Sequence, residues 1–141
     1  MILFPRRLFL VAPAAFAAFP VFAAEIGSLT VSEAHEKAKA GEIVLIDIRR
    51  PDEWARTGVA AGALPIDMRV RDLGTRIDAA LGGDRDAPVA LICHSGVRSD
   101  ALAEAMAKAG FTQVYDIPEG MAGSRAGPGW VKSGLPVERP Q

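Results

Sequence analysis

The sequence predicts an α/β fold: one domain built on a mostly parallel sheet with helices on both faces. Three observations carry this reading. Short continuous runs of β-branched and aliphatic residues alternate with stretches of helical spacing. Those runs lack the in-and-out alternation of a half-exposed strand, so they suit strands buried on both sides. The chain has 141 residues, 50% of them hydrophobic, enough to close one core and too few for two. Strands alternating with helices pair in parallel through right-handed crossovers, and such sheets gather ligands at the carboxyl ends of their strands.

Thr30 with Glu33 three residues on reads as a capping box, with Val31, Ala34 and Ala38 on one face of the helix it opens and Gly41 past its end. Ile43 to Ile46 is the first buried strand, and Arg49 to Gly62 reads as a loop. Ala63 to Ile66 is a second short strand, before a weakly helical stretch from Leu73 to Leu81 that Gly82-Gly83-Asp84 breaks. Pro88 leads into the strand Val89 to Ile92. From Ser99, Leu102, Ala105, Met106 and Ala109 keep helical spacing until Gly110. Gln113 to Ile117 is the next strand, and the Gly- and Pro-rich segment Pro118 to Gly129 reads as a loop beside the ligand-bearing edge.

The first residues differ in composition from the rest. Arg6 and Arg7 make a basic start, and Leu8 to Ala24 carries no charge. As a helix that stretch would span roughly 26 Å, short of a hydrocarbon core of roughly 30 Å, and Pro13 and Pro20 weaken it further as an anchor. Val21 and Ala23 suit the small-residue pockets of a signal peptidase. Residues 1–23 are therefore expected to be an export signal and 24–141 the mature domain, periplasmic and free of the membrane once the leader is cleaved. Arg6-Arg7-Leu8-Phe9-Leu10 also resembles the core of a twin-arginine signal, although Pro5 stands where Ser or Thr is usual. An ordinary basic leader for the general secretory route is the alternative.

A net charge of -1, a pI near 6.1 and scattered basic residues argue against a nucleic-acid partner. Two histidines and a single cysteine make a poor metal site, and no cofactor is expected. A lone cysteine in an oxidising compartment has no internal disulfide partner, so Cys93 is either buried and inert or reactive.

The order strand, Cys93-His94-Ser95-Gly96-Val97-Arg98, helix favours the reactive reading. It puts one thiol at a strand end and before a helix N-terminus, where unpaired backbone N–H groups and the helix dipole favour thiolate over thiol. Gly96 lets the backbone curl so that successive N–H groups face inward. Arg98 is placed to bind an anion, Arg49 either helps bind an anionic donor or is a solvated charge, and His94 flanks the nucleophile. Asp47, at a strand end, is placed to support the loop by accepting backbone N–H groups. Trp54 and Trp130 read as packing residues.

The loop Cys93-His94-Ser95-Gly96-Val97-Arg98-Ser99 resembles the active-site loop of the rhodanese family. Leu45-Ile46-Asp47-Ile48-Arg49, Glu53-Trp54, Gly62-Ala63-Leu64-Pro65, Gly120-Met121-Ala122-Gly123 and the stretch from Trp130 through Gly134-Leu135-Pro136-Val137 resemble its other signatures, in the family's order, over roughly Ile26 to Glu138. The resemblance implies one rhodanese-like domain with a five-stranded, mostly parallel sheet. It also implies a sulfurtransferase, in which Cys93 takes sulfane sulfur from thiosulfate or a related small anionic donor as a persulfide. Cyanide or a thiol, on a small molecule or a protein, then accepts it. The chain departs from the family at Val59, where a His is common after the glycine, at a single glycine near Glu119-Gly120, and in the insert Ser124 to Gly129. These bear on the frame of the pocket and hence on donor specificity. Two alternatives are a sulfur-carrier or anion-binding module with little turnover, and a cysteine phosphatase or arsenate reductase. The related dual-specificity phosphatases place Arg six positions after Cys, whereas Arg98 is five after Cys93, a shorter ring that fits sulfur better.

Overall fold

A computed structural model describes residues 24–140, so the expected leader over residues 1–23 lies outside the described residues. The chain runs β1 (Gly27–Ser28), α1 (Val31–Lys39), β2 (Val44–Asp47), α2 (Pro51–Thr57), β3 (Val59–Ala60), β4 (Leu64–Pro65), α3 (Leu73–Ala80), β5 (Val89–Ile92), α4 (Val97–Lys108), β6 (Val114–Asp116), α5 (Gly129–Lys132) and β7 (Val137–Glu138). Five strands form one sheet in the order β1-β6-β5-β2-β4, and every neighbouring pair is parallel. β3 and β7 make a separate antiparallel pair. Among the described residues no helix is long and apolar enough to cross a membrane.

The capping box at Thr30 forms as expected. Its hydroxyl accepts the Glu33 N–H at 3.2 Å, and the Thr30 N–H donates to Glu33 Oε2 at 2.8 Å, satisfying two donors that the helix itself leaves open. The continuous apolar runs have a direct cause in the two faces of the sheet. Ile46, Leu91 and Val114 turn toward Ile77, Leu102 and Met106 of α3 and α4. Leu45, Ala90 and Ile92 turn the other way, toward Val31, Ala34 and Trp130 of α1 and α5. Neither face meets water, so neither needs polar residues.

Three segments differ from the sequence reading. The expected loop from Arg49 to Gly62 contains α2 and β3. Pro51 opens α2 with a preset φ, Asp52 and Glu53 stand in its first turn and Arg56 in its last, so its stability comes from end charges and a cap, without an apolar stripe. The fifth strand is β1, two residues long and pairing with β6 through Gly27↔Tyr115 and Ser28↔Asp116. Gly27 is there because the Tyr115 ring lies where a Cβ would be. The last segment is α5, which forms where only a closing sequence pattern was recognised, with Trp130 fully buried and its indole N–H donating to the Pro136 carbonyl at 2.8 Å.

The carboxyl ends of the three central strands lie side by side. Asp47 of β2 is level with Ile92 of β5, and Leu91 of β5 with Asp116 of β6. Cys93 therefore emerges between two buried carboxyl groups, Asp47 on one neighbouring strand and Asp116 on the other.

Candidate functional site

β5 ends at Ile92 and α4 begins at Val97, so Cys93 to Gly96 must turn the chain within four residues. Gly96 makes this turn at φ 90°, in the left-handed region, and a Cβ on it would strike the Pro118 carbonyl. The turn folds the backbone around the sulfur: the Gly96 N–H donates to Cys93 Sγ at 3.2 Å and the Ser99 N–H at 3.4 Å. Ser99 Oγ lies 3.3 Å from the same sulfur and donates to the Gly96 carbonyl at 3.1 Å. Two N–H groups of a helix start thus converge on one atom, an arrangement that favours negative charge there.

The segment from Pro118 supports this loop from behind. The Met121 N–H donates to the Cys93 carbonyl at 2.8 Å and the Ala122 N–H to the His94 carbonyl at 2.9 Å. Gly120 allows this approach, since a Cβ on it would come within 2.6 Å of the His94 carbonyl carbon. Glu119, buried, ties the support to the rest of the domain by accepting the N–H groups of Val31 at 3.2 Å and Gly129 at 3.1 Å.

The expected site residues separate into groups. Cys93 is 1% exposed and Ser99 fully buried at the bottom of the loop, while His94 and Val97 face outward at its rim, Val97 at 75% exposure. Ser95 is half-buried. Arg98 points its guanidinium at Glu53, with Nη1 to Oε2 at 2.8 Å and Nη2 to Oε1 at 2.7 Å. These hydrogen bonds are the main reason the Glu53 carboxyl is held down to about 2, against the opposing effect of burial. His94 Nδ1 stands 3.9 Å from Glu53 Oε1.

Arg49 corrects the expectation that it binds a donor or is solvated. Its side chain is 1% exposed and its donors are engaged: Nη2 with Asp47 Oδ2 at 2.7 Å and the Gly58 carbonyl at 2.8 Å, Nη1 with Thr57 Oγ1 at 2.9 Å. Asp47 in turn accepts the N–H of Arg49 at 3.1 Å, so its support reaches the α2 side of the site through Arg49. Arg50 and Arg69 lie outside the sequence motifs and join the site only in the fold. With Arg98 and Met68 they line a cavity of about 460 Å³ against the loop. Each arginine lies near a carboxylate, Arg69 with Asp67 at 2.6 Å and Arg50 with Asp52 at 3.4 Å.

The pattern of the rhodanese-like domain matches residues 30–126, most of the chain, including Asp47, Arg49, Glu53 and the loop from Cys93 to Ser99. The chain belongs to the rhodanese-like domain family. YibN of Escherichia coli K12, an uncharacterized protein, is 30% identical over 124 residues, covering 86% of this chain and 78% of YibN. The thiosulfate sulfurtransferase GlpE of Glaesserella parasuis is 29% identical, covering 78% of this chain and 91% of GlpE. Among solved structures, a Rhodopseudomonas palustris protein of unknown function, described as a possible tyrosine phosphatase, is 26% identical with a TM-score of 0.60, covering 80% of this chain and 85% of that one. This rhodanese-like domain therefore has relatives described in terms of both sulfur transfer and phosphate chemistry, and the loop itself must discriminate.

Proposed function

We propose that this rhodanese-like domain is a sulfurtransferase that takes sulfane sulfur from thiosulfate or a related anion and passes it to cyanide or a thiol, on a small molecule or a partner protein. The observation that carries the reading is the short loop whose Gly96 and Ser99 N–H groups converge on Cys93 Sγ at 3.2 and 3.4 Å. The Cys93 thiolate attacks the outer sulfur of the donor. A new S–S bond forms, the donor's own S–S bond breaks, and its electron pair leaves with sulfite. The acceptor's lone pair then attacks the outer persulfide sulfur and returns the electrons of that bond to Cys93. The N–H groups oppose the charge on sulfur at both stages. Arg50 and Arg69, whose side chains are exposed at the adjoining cavity, give an anionic donor its approach. The proposed location is the periplasm, on the strength of the basic, then uncharged, leader.

Phosphatase chemistry requires a ring of N–H groups around a tetrahedral anion and a free arginine to close it. Arg98 comes one position early and its fork is held by Glu53. The purified protein is expected to turn over thiosulfate with cyanide and to leave an aryl phosphate intact. Aryl phosphate hydrolysis through Cys93 that outpaces sulfur transfer would overturn the reading. One stoichiometric loading of sulfur without turnover would instead identify a carrier.

A further inference from the structure

A buried carboxylate stands beside the cavity that an anionic donor must enter. Glu53, in the first turn of α2, has a side chain only 8% exposed, and three N–H groups fill its two oxygens. Arg98 Nη1 and the Arg50 backbone donate to Oε2 at 2.8 and 3.0 Å, and Arg98 Nη2 donates to Oε1 at 2.7 Å. This two-pronged pairing occupies the edge of the guanidinium that would otherwise clasp a phosphate or a sulfate. The pairing does not loosen near neutral pH, because the Glu53 carboxyl is held down to about 2, mainly by Arg98 itself.

The three arginines of the cavity are held unequally. Arg50 and Arg69 are 45% and 61% exposed, and such surface pairs give way to a ligand at little cost. Arg98 cannot turn to a ligand without leaving Glu53 buried and short of its main counter-ion, with only Arg50 Nε, 3.4 Å away, to replace it. We propose that Glu53 is a specificity-determining residue, which withholds Arg98 from the cavity and so keeps inert tetrahedral oxyanions such as phosphate and sulfate from occupying the place of the sulfur donor. The inference rests on the sulfurtransferase reading for the identity of that donor.

A free fork on Arg98 would hold thiosulfate more tightly, but it would hold equally well the sulfite that has to leave and every oxyanion with no sulfur to give. Binding of that kind lowers the free energy of the bound donor without lowering the barrier to transfer. With Arg98 engaged, the cavity attracts an anion through Arg50 and Arg69 and lets it go again.

The test is the affinity of the full-length protein for inorganic phosphate, followed by phosphorus NMR titration with no sulfur donor present. Glu53→Gln keeps an oxygen for the Arg50 N–H but no charge to hold Arg98, and it is expected to bind phosphate about tenfold more tightly than the native protein. Glu53→Gln combined with Arg98→Met should return to within about twofold of native, since the pair is then removed whole. A residue that only braces α2 against the loop would, when replaced, lower the affinity or leave it unchanged. Native affinity in Glu53→Gln, or a gain that persists in the double variant and so belongs to Arg50, would overturn the proposal. If Glu53→Gln does not fold, the double variant carries the test: native affinity supports the proposal, and a loss of about tenfold would overturn it by showing that Arg98 already binds anions. Because no sulfur is transferred in this experiment, a failure of thiosulfate turnover would count against the sulfurtransferase reading and leave the phosphate result standing.

Discussion

Cys93→Ser is expected to abolish sulfur transfer and leave the fold standing. A serine hydroxyl fills nearly the same space and still accepts the N–H groups of Gly96 and Ser99, now 3.2 and 3.4 Å from the sulfur, so the loop keeps its backbone partners. What it loses is the ability to form and break an S–S bond at neutral pH, and removing a nucleophile that acts at every step costs at least about a thousandfold in turnover. The check is thiosulfate-to-cyanide transfer beside circular dichroism. Transfer that survives near the wild-type rate would remove Cys93 from the mechanism, and an unfolded variant would make it a core residue.

The second large effect is on stability. Arg49→Met leaves Asp47, fully buried, with a single backbone N–H in place of a guanidinium. Removing one partner of a buried ion pair costs about 3–5 kcal/mol, because the remaining charge has lost both water and its counter-ion. Urea unfolding should show that loss in Arg49→Met. The double variant Arg49→Met with Asp47→Leu should recover much of it, because no charge is then left buried and unpaired. A loss below about 1 kcal/mol in Arg49→Met would mean that the pair is solvated and that Arg49 is available to a ligand.

The contrast between Arg49 and Arg98 illustrates what the sequence can disclose. Asp47 and Arg49 are two residues apart at the end of a strand, a spacing that puts both on one face, so their pairing was open to inference. Reading each charge alone led instead to a donor-binding or solvated Arg49. Arg98 and Glu53 are 45 residues apart, and nothing local connects them until β2 and β5 pair and bring α2 beside the loop.

The same distinction holds for the fold. The runs Ile43 to Ile46 and Val89–Ile92 were legible because burial on both faces imposes an apolar identity on every position. The helix after Thr30 was legible because its cap is written in two side chains three residues apart. β1 and α2 were not. Two residues of edge strand carry no periodicity, and a seven-residue helix with one aromatic side chain leaves no stripe to count. The strand, cysteine loop and helix order, by contrast, places the thiol from sequence alone, since it depends only on neighbours along the chain.

The most direct test of the central claim is the mass of the peptide bearing Cys93 after the purified protein has met thiosulfate and been freed of excess donor. Sulfur transfer through a persulfide predicts a gain of one sulfur atom, about 32 Da, on that peptide, lost again on addition of cyanide. An unchanged Cys93 peptide while thiosulfate is being consumed would contradict the account.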